Sequence, residues 1–418
     1  MTTKENGPRD TLKIIFIDFN KMDNFTAPLQ GLRILDFTTL LPGPYATMLL
    51  ADMGAEVLRI ESPDRPDMLR GLPPMVGSAE PVSAAHATIN RNKKSLALDL
   101  KSQEAKEIIE RLLSEYDIVI EQFRPGVMEK LGFGYQTLSE MRTDIIYCSI
   151  TGYGQDGPLK MRAGHDINYL ALSGLASYSG RLDSGPSLNG MQIADIAGGS
   201  HHAAMAILAA VYHRQQTGHG GHIDISMTDC AYALNAICGA NALANGQDPE
   251  MEMELLNGGS YYDYYCTADD RYLSVGSLEP QFAEAFFLGI GHPEWMERVL
   301  ESDQQESLKQ DIAAIIKKKK LSEWNSIFSD IDACVEPVLH FSEATESELI
   351  QNRQMIANAV TESGDTLLQI NTPFKFNGKK NKKHQTGASL GADSRSTLES
   401  LGYSSQDIDR LFANKVIA

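Results

Sequence analysis

Two short stretches of this sequence place groups that can move a proton at predicted helix starts. In the first, His165 and Asp166 follow Gly164 and precede an apolar segment that begins at Tyr169. In the second, Asp195 directly precedes a long apolar run. An imidazole and a carboxylate can remove a proton from carbon and return one from the other side. We therefore interpret His165 and Asp195 as candidate catalytic bases.

Both aspartates also have a simpler interpretation, because Asp before a helix is a common N-cap. A capping carboxylate near a helix N-terminus stays ionised, which is also the state that a general base needs. His165 lies between a glycine and an acid, so a buried core role is less favoured for it than for a histidine on an apolar helical face. The pattern alone leaves the roles of Asp166 and Asp195 open.

Glu279 follows directly on a predicted strand, in the sequence SLEPQ at 277–281. One interpretation is an exposed loop carboxylate. The other is a residue that orients and charges His165 from a second domain. Spacing alone does not choose between the two.

The charge balance restricts the possible ligands. With 37 basic and 55 acidic residues, the net charge is −18, which argues against a nucleic-acid-binding protein. An anionic ligand therefore needs a local basic pocket. The candidates are Arg59, Arg91 and Lys94, and Arg124. Ligands bind at the carboxyl ends of parallel strands, where we expect Arg59 and Arg124 to lie. This position favours a polyanionic cofactor as the ligand.

Composition predicts a soluble, two-domain protein. The apolar share is 42% and the charged share 22%, and 418 residues exceed what a single core usually holds. The five cysteines have no CxxC spacing, which predicts neither a disulfide framework nor a metal site and favours a cytoplasmic location. No run is long enough to cross a bilayer, and residues 1–26 read as an extension outside the core fold.

The elements that must position the candidate bases alternate between strand and helix. Residues 32–36, 56–60, 95–99, 117–121, 145–149 and 222–226 read as strands separated by helical stretches. This alternation predicts an α/β fold with a Rossmann-like parallel sheet. The first strand–helix turn holds only one glycine, Gly43, between two prolines, so it lacks the GxGxxG pattern of a dinucleotide site.

The predicted organisation is a large domain interrupted by a smaller one. Residues 27–222 form the first part of the large domain, and 223–260 form a linker region. Residues 261–340 form a smaller α/β domain, and 341–418 return to complete the large domain.

Several motifs together resemble the family III CoA-transferase superfamily, over residues 28–412. They are LPGPYATMLLADMGAEV at 41–57, NRNKKS at 90–95, FRPGV at 123–127, GYGQDG at 152–157 and DACVEPV at 332–338. Within the superfamily, GHDINY at 164–169 and LEPQF at 278–282 are most similar to racemases of α-methylacyl-CoA thioesters.

The resemblance implies a specific activity and a specific set of residues. His165 and Asp195 would be the two bases of a racemase, with Glu279 the partner of His165. An acyl-CoA substrate would be held by basic residues of the large domain, and no metal or other cofactor would be required. The family fold implies an interlocked homodimer in which Glu279 acts in trans. The candidate substrate contacts are Arg59, Arg91, Lys94, Arg124, Gly152 and Tyr169.

Two other functions stay open on sequence alone. In a CoA-transferase, Asp166 would attack the thioester and carry the group covalently; in a racemase, its backbone N–H would instead help to hold the enolate oxygen. The third possibility is a CoA-ester-binding protein without turnover, against which the retention of three titratable groups argues. His165 favours racemisation, since transferases generally lack histidine there.

Overall fold

A computed structural model describes residues 27–77, 81–381 and 383–418. The predicted N-terminal extension, residues 1–26, lies outside these ranges. The large sheet has six strands: β1 (Arg33–Asp36), β2 (Glu56–Glu61), β3 (Lys94–Ala97), β4 (Ile118–Glu121), β5 (Ile146–Thr151) and β6 (Gly221–Ser226). All pair in parallel, in the order β6-β5-β4-β1-β2-β3. This is the Rossmann strand order, which confirms the predicted fold class.

Strand order reverses between β1 and β4, where successive connections leave on opposite faces of the sheet. The strands are buried on both faces: Ile34 of β1 and Ile118 of β4 contribute to one apolar cluster, and Leu35 and Val119, the next residues, to the other. Side chains alternate across a strand, so a sheet covered on both faces needs apolar residues at successive positions. A crevice is expected at the carboxyl ends of β1 and β4.

Helices cover both faces of this sheet. They are α1 (Pro42–Asp52), α2 (Ala84–Ile89), α3 (Gln103–Leu112), α4 (Val127–Leu131), α5 (Tyr135–Met141), α6 (Asp166–Leu172), α7 (His201–Thr217), α8 (Met227–Ala233) and α9 (Cys238–Asn245). A π-helical segment, Ala194–Ser200, runs directly into α7. The predicted linker region, 223–260, thus contains most of β6 and two helices before its irregular part.

A second, smaller unit follows with its own core. Its antiparallel sheet consists of β7 (Asp263–Cys266), β8 (Tyr272–Val275) and β9 (Val335–Pro337). It packs with α10 (Pro280–Ile290), α11 (Gln305–Ile316) and α12 (Leu321–Phe328) around Trp324, Phe286 and Phe287, all fully buried. We call this unit the small lobe. Proline in the first turn of α10 fixes that helix start directly after Glu279.

The C-terminal segment packs back onto the large sheet. After α13 (Phe341–Glu346) and α14 (Glu348–Asn352) come a three-stranded sheet, β10 (Ile356–Val360), β11 (Thr366–Ile370) and β12 (Lys383–Gln385), and then α15 (Ser394–Ser400) and α16 (Ser405–Ala413). Leu398, Ile408 and Leu411 lie in the apolar cluster that contains Leu35. Ile417 bridges Leu98, so the chain end covers the edge of the sheet next to β3.

Candidate active site

A cleft of about 340 Å³ opens where the strand order reverses. Its wall comes from three turns that follow strands: residues 40–42 after β1, 122–125 after β4 and 151–152 at the end of β5. His165, Tyr169 and Asp195 complete it. Five predicted site residues lie on this wall, namely Arg124, Gly152, His165, Tyr169 and Asp195, and they come from well-separated parts of the sequence. The fold therefore brings the two candidate bases into one cleft.

His165 is held at the start of α6 by its backbone, which leaves the imidazole exposed. Its N–H donates to Asn168 Oδ1 at 2.9 Å. The hydroxyl of Tyr169 donates to the Gly164 carbonyl at 2.6 Å, so the ring lies against the preceding turn. A Cβ on Gly152 would stand 2.5 Å from Tyr169 Cε1, and a Cβ on Gly164 would stand 2.7 Å from it. Both glycines are therefore needed for the ring to pack so closely.

Asp195 is the second residue of the π-helical segment, and such segments recur at functional sites. Burial and, to a smaller extent, the charge of the neighbouring Asp166 raise the pKa of its carboxyl to about 6, while His165 acts in the opposite direction. A carboxyl that titrates near neutrality can both accept and donate a proton at physiological pH.

Asp166 has a different environment from the other two. Its side chain is 8% exposed and does not line the cleft. Its Oδ1 accepts the backbone N–H of Asp195 at 3.0 Å, which ties the start of α6 to the π-helical segment. The carboxylate is therefore directed at the backbone beside Asp195.

Replacing Asp195 by asparagine should stabilise the folded protein at neutral pH. The folded-state pKa lies above the ordinary value of 3.8, so the stability linked to the bound proton is complete below pH 3.8 and is lost as pH rises through about 6. Asparagine carries no such charge. We expect the free energy of unfolding of Asp195→Asn to exceed that of the parent by about 1–2 kcal/mol at pH 7.5. The difference should shrink towards pH 4.

Urea unfolding across this pH range measures the effect, with the exposed Asp330→Asn as the matched control. A difference between Asp195→Asn and the parent that is constant with pH would contradict the raised pKa.

Two cations on the cleft wall, Lys160 and Arg162, were not among the predicted site residues. Together with Arg124 they form what we call the cleft cations. Among the residues that the structure describes, none of the three has a carboxylate within ion-pair distance. Lys160 and Arg162 stand four and two residues before Gly164, and this position was the signal available in the sequence.

A second cavity, of about 530 Å³, lies beside the cleft at the carboxyl ends of β2 and β3. The two share Leu40 and Phe123 as walls. The second cavity is mostly apolar and carries the cations Arg65 and Lys101, which also were not predicted. The pair of cavities therefore offers an apolar pocket with cations next to the candidate bases.

Comparison with known proteins identifies the family. The sequence profile of CoA-transferase family III matches residues 29–394. The chain belongs to CoA-transferase family III.

Relatives of this chain include proteins named for two different reactions. The chain is 33% identical over 391 residues to human alpha-methylacyl-CoA racemase, covering 93% of this chain and 97% of that protein. It is 34% identical over 366 residues to the succinate–glutarate CoA-transferase of Agrobacterium fabrum, covering 84% and 90%. A CAIB/BAIF family protein from Brucella suis has a similar crystal structure, with a TM-score of 0.79 at 26% identity, covering 90% of this chain and all of that one.

Within this family III chain, two arginines expected at the ligand are instead buried in ion pairs. Arg59 is 1% exposed and bonds to Asp67, with Glu61 3.7 Å away and His86 Nε2 3.1 Å away. It lies inside β2, which continues to Glu61, rather than at the strand end as expected. A guanidinium shielded in this way has no open face for a ligand.

Arg91 is similarly occupied. It is 2% exposed and donates from Nε to Asp52 Oδ1 at 2.9 Å and from Nη2 to Asp52 Oδ2 at 2.5 Å. A third bond, at 2.6 Å, reaches the Ile370 carbonyl. These contacts give Arg91 a structural role, holding the C-terminal segment against α1.

Lys94 lies on the wrong edge of the sheet for the predicted contact. It is the first residue of β3 and pairs with Glu56, the first residue of β2, at 2.8 Å. Both are at the amino ends of parallel strands, whereas the cleft is at the carboxyl ends. Of the four predicted cations, only Arg124 lines the cleft.

Glu279 is exposed on the small lobe and is not part of the cleft wall formed by the described residues. Burial raises the pKa values of Tyr261 and Cys334, both within that lobe, and the charge of Glu279 is the second cause of each increase. Within a single chain, Glu279 therefore lies outside the cleft that contains His165.

In the described ranges, no group of three or more His, Cys, Asp or Glu side chains is arranged to hold a metal ion. No helix there is long and apolar enough to cross a membrane.

Proposed function

We propose that this protein inverts the α-carbon of 2-methylacyl-CoA thioesters by moving a proton between two bases. The observation that carries the proposal is the arrangement at the start of α6. His165 and Asp195 line one cleft, while the carboxylate of Asp166, the nucleophile of a transferase reaction, is engaged with the backbone N–H of Asp195. The identity to human alpha-methylacyl-CoA racemase over nearly the whole chain supports it.

Inversion requires that one base take the α-proton from one face while the other delivers a proton from the opposite face. The base that removes the proton must be unprotonated and the other protonated. An Asp195 carboxyl with a pKa of about 6 can be present in either protonation state near neutrality. His165 and Asp195 therefore exchange roles with the direction of the reaction.

The intermediate enolate needs a hydrogen-bond donor at its oxygen. Asp166 is the first residue of α6, and the first N–H groups of a helix have no partner within that helix. The N–H of Asp166 would supply this bond, a contribution of roughly 3 kcal/mol for one such donor. The nucleotide of CoA would occupy the second cavity, with Arg65 and Lys101 at its phosphates. No cofactor beyond the CoA of the substrate is needed, and we place the reaction in the cytoplasm.

We also propose that the protein acts as a homodimer in which Glu279 of one subunit meets His165 of the other. The small lobe of a single chain leaves Glu279 exposed and outside the cleft. Large apolar side chains are exposed on α6, α7 and α9, namely Ile167, Leu172, Met205, Tyr212 and Leu243. Exposed apolar area of this kind marks an interaction surface.

Mixing two inactive variants should restore activity if Glu279 acts in trans. In a heterodimer of His165→Ala and Glu279→Gln subunits, one site carries both substitutions and the other carries neither. Random association then restores up to about a quarter of the parent rate. Co-expression with two different affinity tags and tandem purification isolates the heterodimer. A heterodimer no more active than either variant alone would place Glu279 in cis or outside the reaction.

A second candidate function is CoA transfer between carboxylic acids, favoured by the 34% identity to a succinate–glutarate CoA-transferase. The deciding experiment incubates the protein with a single-epimer 2-methylacyl-CoA in deuterated water, with and without added free carboxylic acids. We expect deuterium at the α-carbon and formation of the other epimer without any acid. CoA transfer to an added acid, with neither exchange nor epimerisation, would overturn the racemase proposal in favour of the transferase.

A further inference from the structure

The cleft cations have no carboxylate partner among the residues that the structure describes. Several basic residues elsewhere are paired: Arg59, Arg91 and Lys93 are buried against carboxylates, and Arg181 and Arg271 bond to acidic side chains. The chain has 55 acidic residues for 37 basic ones, so partners are abundant. Within the described ranges, Arg124, Lys160 and Arg162 instead share one cleft without an ion pair. Unpaired cations concentrated in a cleft raise the local concentration of an anion.

The phosphates of CoA do not account for all of these cations. They belong to the nucleotide end, and the second cavity offers Arg65 and Lys101 there. Arg124 follows Phe123, which is a wall of both cavities, so it can serve the phosphates as well. The pantetheine arm that joins the nucleotide to the thioester carries no charge. Lys160 and Arg162 remain, and they line the same cleft as the candidate bases His165 and Asp195.

Lys160 and Arg162 also do not serve the bases directly. The charges that act on Asp195 are those of Asp166 and His165, and neither cation contributes to its shifted pKa. The lining of the cleft also includes the apolar residues Leu41, Pro42 and Met227, which are available to a short branched chain.

From these observations we infer that the acyl group itself ends in a carboxylate, which Lys160 and Arg162 bind. The substrate class is then the CoA monothioester of a 2-methyl dicarboxylic acid, esterified at the carboxyl next to the branched carbon. This inference rests on the proposed racemase function and specifies its substrate. Arg162 can bind such a carboxylate through two parallel hydrogen bonds, and Lys160 adds a second charge.

The test compares two substrates of equal chain length, 2-methylglutaryl-CoA esterified at C1 and 2-methylpentanoyl-CoA. We expect kcat/KM for deuterium exchange to be on the order of 10- to 100-fold higher for the dicarboxylic thioester. This is the effect expected of a charge-assisted hydrogen bond to its carboxylate. Lys160→Gln and Arg162→Gln should each reduce the preference, and the double variant should remove it. Lys318→Gln, an exposed residue after α11 of the small lobe, is the control for loss of one positive charge.

The outcomes separate this inference from the function on which it rests. Exchange on neither substrate by the parent protein would remove the racemase proposal itself. Exchange that favours 2-methylpentanoyl-CoA would remove the dicarboxylic inference alone. An equal rise in KM for both substrates in Lys160→Gln and Arg162→Gln would assign these cations to the CoA phosphates and also overturn the inference. Arg65→Gln calibrates that pattern, because we expect it to raise both KM values alike.

Discussion

His165→Ala and Asp195→Asn will each lower the rate of epimerisation by about 10²- to 10⁴-fold, the contribution usual for a positioned acid or base. Neither alanine nor asparagine can accept the α-proton or return one. Both residues line the cleft rather than the core, so the variants should fold and still bind acyl-CoA. Chiral analysis of the product measures epimerisation, and calorimetric titration with an unreactive CoA thioether measures binding.

The two variants should differ in which epimer still exchanges with solvent. In each, the remaining base faces only one side of the α-carbon, so deuterium should enter one epimer without inversion. His165→Ala and Asp195→Asn should retain exchange with opposite epimers. Retained exchange with the same epimer in both variants would contradict a two-base mechanism.

Asp166→Asn is the matched control for these two. The amide oxygen of asparagine can still accept the Asp195 N–H that Asp166 Oδ1 now accepts at 3.0 Å. We expect epimerisation to fall by less than about tenfold, since a hydrogen bond persists with only its charge removed. Complete loss of activity would instead indicate that the carboxylate of Asp166 is itself the reacting group.

Asp52→Ala will destabilise the fold by about 3–5 kcal/mol, the cost of leaving a buried charge without its partner. Asp52 accepts two bonds from Arg91 and one, at 2.9 Å, from Asn92 Nδ2. His384 Nδ1 lies 3.6 Å from its Oδ1. Loss of this carboxylate would leave the Arg91 guanidinium buried and unpaired. Denaturant unfolding monitored by circular dichroism gives the free energy.

The control for this change is the exposed pair between Arg395 and Asp409. Removing that carboxylate, in Asp409→Ala, should cost no more than about 1 kcal/mol. The converse variant tests the role of Arg91 itself: Arg91→Met should alter stability without a specific loss of acyl-CoA affinity. An Arg91→Met protein with the stability of the parent but much weaker acyl-CoA binding would instead support the predicted contact between Arg91 and the ligand.

The sequence predicted the sheet because its signals are local. Short apolar runs at regular intervals specify strands buried on both faces, and strand–helix alternation implies parallel pairing with ends at one edge. That reasoning anticipated all six strands of the large sheet within one or two residues. The mixed sheet of β10 to β12, in which β10 pairs antiparallel with β11 and parallel with β12, was not anticipated, because its strands are short and half-exposed.

The candidate bases were also visible locally, since His165 and Asp195 each stand at a helix start next to glycine or small residues. Their presence in one cleft follows from the packing of the start of α6 against the π-helical segment, which the bond from the Asp195 N–H to Asp166 Oδ1 marks. The sequence could not show which of the cations face the ligand. An arginine looks the same in a sequence whether it faces a ligand or a buried carboxylate, and Asp52 is 39 positions from Arg91.

By itself, then, the sequence determined the fold class and the two groups that can exchange a proton. Only the tertiary structure decided that Arg59 and Arg91 are internal, that Lys160 and Arg162 line the cleft, and that the Asp166 carboxylate is bonded to the Asp195 backbone. The physical reason is one of range. Strand periods and helix caps depend on neighbours a few residues away, whereas burial and ion pairing depend on which distant segments the folded chain brings into contact.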